Sequence, residues 1–291
     1  MSPIASIVLP CYNGAGFLAQ SIDSVIHQTF TDWELIIVND CSTDNSLEIM
    51  QRYANEDSRI RIINNEHNLK LPGALNRGFQ EAKGKYLTWT SHDNRMGETM
   101  LEEFVNYLDQ NPDKGLVTSC YAAFSLKTGE QLYEVHHPDP QLYMPLFNTV
   151  CYAFMYRREM LETVGDYDTS LFLVEDYDYW VRIWQRYPIG KIYKVLYYTG
   201  VGDETLTLSR KKDIAKKLLE MRLRYFDSFN KALTSHPNLQ RKFFISIADD
   251  LHGIPRLNFT FQRGIGFTTF YWCYLRPKKF WGKTKRKLCH A

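Results

Sequence analysis

The chain has 291 residues, of which 44% are hydrophobic and 23% charged, and its formal net charge is +2. This length and composition exclude intrinsic disorder and allow one large α/β core with a smaller appendage. The charge is uneven, because residues 276–291 hold seven Lys or Arg and no acid, leaving about −5 for the rest. Six cysteines without zinc-ligand spacing indicate reduced thiols of a cytosolic protein.

The N-terminus lacks the basic and apolar pattern of a secretory signal. No segment approaches the ~20 apolar residues that span a bilayer, since the nearest stretch, 265–275, is too short and contains Thr and Tyr. We therefore expect a cytoplasmic protein whose membrane contact, if any, is peripheral.

The first 110 residues alternate short β-rich runs with segments of helical periodicity, which predicts a doubly wound, mostly parallel sheet flanked by helices. The predicted strands are Ala5–Pro10, Glu34–Asn39, Arg61–Asn64 and Tyr86–Thr90. The predicted helices are Phe17–Gln28, Thr43–Asn55, Ala74–Ala82 and Thr99–Gln110, the last ended by the Asn-Pro pair at 111–112.

The pattern is less regular after residue 110. It predicts strands at Gly115–Ala123 and Ile192–Tyr198, a helix at Asp176–Arg186 and a mixed sheet with acceptor-binding loops. Residues 212–233 predict a long amphipathic helix.

We therefore divide the chain into a domain over 1–210, with halves 1–110 and 111–210, and a helical, aromatic and basic extension over 211–291.

Three polar clusters follow predicted strands. They are residues 10–14 (PCYNG), 39–44 (NDCSTD) and 91–94 (SHDN). In an open parallel sheet the ligand site lies beyond the carboxyl ends of the strands, so all three clusters should meet at one edge. Singly, each has an ordinary alternative, either a turn or a helix N-cap. Their joint occurrence favours a nucleotide site.

Six segments carry a family resemblance. They read SIVLPCYN (6–13), IVNDCSTD (37–44), NLKLPGALNRG (68–78), AKGKY (82–86), GDYD (165–168) and EDYDYW (175–180). In this order, over about residues 6–186, they resemble glycosyltransferase family 2. The resemblance implies a GT-A fold and an inverting hexosyltransferase that uses a nucleotide-diphosphate sugar.

The resemblance places the donor site at the first two clusters. Pro10 and Asn13 belong to the first, where Tyr12 offers a flat face for a nucleobase. Asp40 would accept from a pyrimidine N–H or a ribose hydroxyl. Lys70 stands where relatives have a basic residue near the base, and a solvated surface lysine is the alternative.

The third cluster departs from the family pattern. Asp93 matches the metal motif, but His92 stands where an acidic neighbour is expected. One carboxylate with diphosphate oxygens and water can still hold a divalent cation, Mn²⁺ or Mg²⁺. His92 would ligate this metal or hydrogen-bond the donor's ribose.

On the acceptor side the resemblance makes Asp176 the general base, and Glu175 is the second candidate. Neighbouring helical side chains differ by ~100°, so only one of them can point into the site. The alternative is an acidic helix start favoured by the macrodipole. Trp180 would pack this segment or form a sugar platform.

We expect transfer from a UDP-sugar to a glycan or lipid-linked acceptor in surface polysaccharide synthesis. A catalytically weakened carbohydrate- or nucleotide-binding relative and a nucleotidyltransferase are the alternatives. The tail 276–291 predicts contact with anionic membrane, which co-sedimentation with anionic vesicles would test, or is simply solvated. No nucleic-acid partner is expected.

Overall fold

The structure is a computed structural model that describes residues 3–202 and 205–253, apart from the side chains of 248–253. The chain divides into two compact units, residues 1–217 and 218–291. That division falls inside a helix, Lys211–Arg224, and the boundary after residue 210 stays a prediction.

One sheet forms the centre of the first unit. Its strands are β1 (Ala5–Cys11), β2 (Trp33–Asn39), β3 (Ile60–Asn64), β4 (Tyr86–Trp89), β5 (Arg95–Met96), β6 (Leu116–Ser125), β7 (Gln131–Val135), β8 (Phe154–Arg157) and β9 (Ile189–Val201). The spatial order is β3-β2-β1-β4-β8-β6-β9-β5, and β7 pairs antiparallel with the C-terminal half of β6.

The first four strands of this order are parallel, and every residue of β1 and β2 is buried. Continuous apolar strands are typical of a parallel sheet covered on both faces, which explains why these runs were legible in the sequence. Beyond β4 the sheet becomes mixed, because β8 pairs antiparallel with both β4 and β6 while β6 and β9 run parallel. The predicted α/β class is confirmed.

Helices connect and cover these strands. They are α1 (Leu18–Ile26), α2 (Ser46–Glu56), α3 (Lys70–Glu81), α4 (Met100–Gln110), α5 (Pro140–Tyr143), α6 (Arg158–Val164), α7 (Glu175–Trp184) and α8 (Leu206–Ser209), with a short 3₁₀ helix at Thr169–Leu171. The five helices predicted in this unit are present, although α3 begins at Lys70 rather than Ala74. Strands β5, β7 and β8 and helices α5 and α6 were not predicted, since each is too short to show a period.

The second unit is helical where the structure describes it. The helix predicted over 212–233 is two helices, α9 (Lys211–Arg224) and α10 (Phe226–Ala232), and α11 (Pro237–Gly253) follows. Phe243 lies 5.7 Å from Phe226 and 5.8 Å from Phe229 between ring centroids, so α10 and α11 share an aromatic contact.

The basic tail, residues 276–291, lies outside the described residues, and its membrane contact stays a prediction. Among the helices that the structure describes, none has the length and apolar character required to cross a bilayer.

Candidate active site

The structure brings the three polar clusters together at the carboxyl edge of the parallel strands. The backbone N–H of Asn13 donates to Ser42 Oγ at 3.1 Å, and Asn13 Oδ1 accepts from the Thr43 N–H at 2.8 Å. Gly14 N donates to Ser46 Oγ at 2.9 Å, and Ala15 N donates to Asp44 Oδ2 at 3.0 Å. Four hydrogen bonds thus fix the loop after β1 against the loop after β2.

The third cluster meets the first at Gly14. A Cβ on Gly14 would lie 2.6 Å from two His92 ring carbons and 2.9 Å from Cys11 Sγ, so the ring packs where any other residue would carry a side chain. Burial raises the pKa of the Cys11 thiol to about 11, and the charges of Asp44 and Asp93 add to that rise. The three clusters therefore surround Cys11.

Asp40 is 3% exposed and joins the end of β2 to the loop that enters α3. Its Oδ1 accepts from Asn65 Nδ2 and from the backbone N–H of Leu69, both at 2.8 Å. Its carbonyl oxygen accepts from Asn68 Nδ2 at 3.3 Å. The Asp40 carboxylate therefore fixes the loop that precedes Lys70. No pattern in the sequence predicted these hydrogen bonds.

The other donor-side candidates differ in exposure. Tyr12 is 50% exposed beyond the end of β1, which leaves its ring available for stacking, whereas Pro10 is buried within β1. Lys70 is exposed and is the first residue of α3. Its backbone N–H donates to Asn68 Oδ1 at 3.1 Å.

Asp93 lies in the turn between β4 and β5. Burial raises the pKa of its carboxyl, while a positive charge on the neighbouring His92 would lower it. Among the described residues no group of three His, Cys, Asp or Glu side chains is arranged to hold a metal. A partly buried carboxylate without a Lys or Arg partner fits a divalent cation whose other ligands come from diphosphate and water.

Asn94 fixes this turn to the end of β9. Its Oδ1 accepts from the Gly200 N–H at 2.9 Å and from Thr199 Oγ1 at 3.2 Å. A Cβ on Gly200 would overlap the carbonyl oxygen of Asp93. The main chain around Asp93 is therefore held from two sides.

Each of the three carboxylates in the first turn of α7 has a different hydrogen-bond partner. Asp178 is fully buried and pairs with Arg182 Nε at 2.9 Å. Glu175 turns back and accepts from the Leu173 N–H at 2.6 Å. Asp176 Oδ2 accepts from Asn148 Nδ2 at 2.9 Å, and its Oδ1 accepts from the Tyr177 N–H at 2.7 Å.

The two candidate bases also differ in proton affinity. Burial and the negative charge of Asp176 raise the pKa of Glu175 to about 8, so Glu175 holds its proton at neutral pH. Burial raises the pKa of Asp176 to about 6, while the Tyr177 N–H and the Asn148 amide lower it. The two carboxyls titrate as a pair, and Asp176 is the member with the lower pKa, as a general base requires.

Asn148 was not among the predicted site residues. Hydrogen bonds from the residues that follow it hold it in place. Its Oδ1 accepts from the backbone N–H of Val150 and Cys151, at 3.2 and 3.0 Å, and its carbonyl oxygen accepts from Cys151 Sγ at 3.1 Å. The amide can then only donate toward Asp176. Because residues 148 and 176 are far apart in sequence, no local pattern reveals this pair.

Two stacked tyrosines respond to the charges of the donor-side and acceptor-side carboxylates. Tyr152 stacks on Tyr197 with a centroid distance of 6.5 Å. Burial raises the pKa of both phenols, and the charge of Asp176 adds to the rise at Tyr152 while that of Asp93 adds to it at Tyr197. Asp93 and Asp176 thus each influence one ring of the same stacked pair.

Trp180 lies in the buried core and not at the surface. It is fully buried, 4.3 Å from Phe154 between ring centroids, with Tyr179 5.6 Å away. A sugar platform needs an exposed aromatic face, which Trp180 lacks. Its position corrects that part of the expectation and agrees with a packing role for this residue.

Backbone strain is concentrated in the same loops. The non-glycine residues with left-handed φ among the described residues are Asn13, Cys41, Lys70, Cys151 and Leu173. Each lies in, or next to, a loop that carries a candidate site residue. Such conformations persist only where surrounding contacts fix them, and they cluster at functional sites.

A separate cavity of about 600 Å³ lies between α1, β5 and β9. It is lined by Asp23, His27, Arg95 and Tyr198, among others, and by none of the predicted site residues.

Polar loops at the carboxyl edge of parallel strands are typical of α/β enzymes, which bind their ligands at that edge. Residues 6–166 match the model of glycosyl transferase family 2. The chain belongs to this family.

Sequence relatives agree with that assignment. An uncharacterized glycosyltransferase of Rickettsia prowazekii is 30% identical over 206 residues, which cover 67% of this chain and 63% of the relative. A putative teichuronic acid biosynthesis glycosyltransferase of Bacillus subtilis, TuaG, is 32% identical over 106 residues, or 36% of this chain and 42% of the relative. The chain thus spans less than two thirds of the length of either protein.

Solved structures support the fold. Residues 1–349 of TarS of S. aureus, in complex with UDP-GlcNAc, have a TM-score of 0.64 at 15% identity, covering 87% of this chain and 82% of that TarS segment. A mannosyltransferase of Pyrobaculum calidifontis in complex with GDP-Man and Mn²⁺ has a TM-score of 0.62 at 16% identity, covering 88% and 77%. The predicted GT-A fold is confirmed by this likeness.

Proposed function

We propose that the protein transfers a hexose, with inversion, from a UDP-sugar to a hydroxyl of a glycan or lipid-linked acceptor in surface polysaccharide synthesis. The observation that carries this proposal is the Asp176 carboxylate, which has a pKa of about 6 and a fixed orientation. Inversion needs one group that takes the acceptor proton as the hydroxyl attacks opposite the leaving diphosphate. Glu175 and Asp178 are engaged elsewhere, which leaves Asp176 for that role.

On the donor side the proposal assigns Tyr12 to the base and Asp40 to ordering the loop before Lys70. Tyr12 has the exposed ring that stacking requires. Because the Asp40 carboxylate is 3% exposed and already bonded to Asn65 and Leu69, its effect on the nucleotide would come mainly through that loop.

Asp93, with His92 beside it, would hold the divalent cation, which when bound neutralises charge on the departing diphosphate. Mn²⁺ in the mannosyltransferase structure supports this choice of cofactor. The His92 ring packs against Gly14, which positions it beside Asp93.

The substrate class is supported by the names of similar proteins. TarS is bound to UDP-GlcNAc, the mannosyltransferase to GDP-Man, and TuaG is named for teichuronic acid synthesis. These names favour a nucleotide-diphosphate sugar and a cell-surface polymer for this chain as well.

The test is Asp176→Asn, which keeps the shape of the side chain and removes its basicity. We expect transfer to fall by about 10²–10⁴ with donor affinity unchanged, because the residue acts on the acceptor hydroxyl. Transfer is measured with a UDP-sugar panel and the acceptor that responds, and donor binding by calorimetry. Glu162→Gln, at an exposed acid of α6, is the control.

Residual turnover above about a tenth of wild type would remove Asp176 as the base. A wild-type protein that binds UDP-sugars and never turns them over would instead be a binding relative. Release of diphosphate from a nucleoside triphosphate would indicate a nucleotidyltransferase.

A further inference from the structure

Four buried side-chain nitrogens of the acceptor half lack a hydrogen-bond partner among the described residues, and two of them, on Lys191 and His137, are close enough for the lysine charge to lower the pKa of His137. Lys191 Nζ, on β9, and His137 Nε2, just after β7, are both closed off from solvent, and neither has a hydrogen-bond partner among the described residues. A buried polar atom without a partner is costly, and native proteins contain few of them. Two such atoms in one region indicate a ligand that completes them.

Exposed aromatic rings lie next to these nitrogens. The His137 ring is 5.6 Å from Tyr121 and 6.2 Å from Phe147 between centroids, and Lys191 Nζ is 5.5 Å from the centroid of Tyr193. Phe147 is 39% exposed and Tyr193 is 69% exposed. Exposed side chains change rotamer within picoseconds to nanoseconds, so rotation of these rings can open the nitrogens to a ligand.

The charges favour an anion. Burial lowers the pKa of Lys191, and the negative charge of Asp139 acts in the opposite direction. Burial lowers the pKa of His137 to about 4, and the charge of Lys191 lowers it further. At neutral pH the histidine is therefore an uncharged donor or acceptor, and the lysine supplies the cation.

These residues adjoin the proposed base. Phe147 directly precedes Asn148, whose amide donates to Asp176 Oδ2 at 2.9 Å. Burial raises the pKa of the Cys151 thiol, which the charge of Asp176 raises further and that of Lys191 lowers. Both charges thus reach the same short loop, 148–151, from different sides.

We propose that Phe147, Tyr193, His137 and Lys191 form an acceptor subsite for a sugar unit that bears a phosphate or a carboxylate. The two exposed rings present apolar faces to the sugar, and the ammonium with the imidazole binds its anionic group. This inference rests on the proposed function, because Asp176 marks where the acceptor hydroxyl must lie. The exposed rings of Phe147 and Tyr193 would supply the aromatic platform for a sugar that the buried Trp180 does not provide.

Binding of three matched probes, glucose, glucose 6-phosphate and glucuronic acid, tests the subsite by ligand-observed NMR titration of the full chain. We expect at least one anionic probe to bind about tenfold more tightly than glucose, since a hydrogen bond to a charged group is stronger than a neutral one. Lys191→Met should reduce that affinity to the level of glucose. Tyr193→Ala, at an exposed position, should weaken all three probes.

Lys194→Met is the matched control. Lys194 lies on the same strand, is exposed and pairs with Glu103 at 2.5 Å, so its loss should leave the affinities unchanged. A phosphate bound at the donor site would be insensitive to Lys191→Met. A preference for glucose 6-phosphate or for glucuronic acid identifies which acidic group the subsite takes.

Equal affinity for all three probes would overturn the proposal, as would unchanged anion binding in Lys191→Met, or an equal loss in Lys194→Met. Melting temperatures of both variants report whether they fold. Retention of the anion preference together with an active Asp176→Asn variant would instead refute the assigned base and leave the subsite standing.

Discussion

The two halves of the first unit treat their polar side chains differently. In the donor half, Asn13, Asp44 and Asp40 accept hydrogen bonds from backbone N–H groups of neighbouring loops. In the acceptor half, Glu175 is buried beside the half-buried Asp176 and both have raised pKa values, while Lys191 and His137 carry nitrogens without a hydrogen-bond partner among the described residues. In the donor half, polar side chains hydrogen-bond to the protein's own loops and fix their shape. In the acceptor half, charged groups and hydrogen-bonding atoms remain available for a substrate.

This difference matches the two tasks that we propose for the site, which are binding of the donor and activation of the acceptor hydroxyl. A nucleotide diphosphate brings its own charge and needs a rigid edge with a cation, whereas an acceptor hydroxyl must lose a proton and needs a base with a suitable pKa. Substitutions in the donor half should therefore change affinity and those in the acceptor half should change rate, pH dependence or stability.

The largest effect in the donor half is expected at Asp93. Asp93→Ala should weaken binding of a UDP-sugar by at least about tenfold with Mn²⁺ present, because the carboxylate reaches the diphosphate through the ion. In EDTA, wild type and variant should bind equally weakly. Calorimetric titration in both buffers measures this. Equal weakening with and without metal would show that Asp93 touches the donor directly.

In the acceptor half, Asn148→Ala should change the pH–rate profile. The Asn148 amide lowers the pKa of Asp176, so its loss should move the acid limb, where activity falls as the base is protonated near pH 6, to higher pH. Turnover at pH 7 should drop by less than about tenfold, and donor affinity should stay the same. Asn148→Asp places a like charge beside the base and should move the limb further. An unshifted profile with reduced turnover would make Asn148 merely structural.

The smallest effect concerns stability at Glu175. Its pKa in the folded protein is about 8, above the usual 4.5, so the folded state binds the extra proton between these values and loses stability as pH rises through them. Glu175→Gln keeps an acceptor for the Leu173 N–H without the charge. Its melting temperature should therefore rise by a few degrees relative to wild type at pH 9 and change little at pH 5. An equal difference at both pH values would contradict this.

The sequence predicted the parallel half well because burial on both faces forces continuous apolar runs in β1 and β2. The polar clusters at their ends, including Asn13 and Asp93, followed from the same topology. The family resemblance singled out Asp176 among the acids of α7.

Other parts depend on contacts that are distant in sequence. β8 lies between β4 and β6 although it follows both, and its four residues carry no period. The proposed roles of Asn148, His137 and Lys191 depend on contacts with residues that are distant in sequence and that the fold brings close. The sequence left Trp180 open as a packing residue or a sugar platform, because the same residue type in an acidic segment can face either the core or a sugar.

Gly200 has a consequence for how the site can evolve. A side chain there would displace the carbonyl of Asp93, so selection for the position of that carboxylate would also act on a residue in β9. We expect glycine to be kept at position 200 as long as Asp93 must keep its place. If Asp93 holds a cation as proposed, a descendant that lost this role would be released from the restriction first, and a larger residue at position 200 would be the record of that loss.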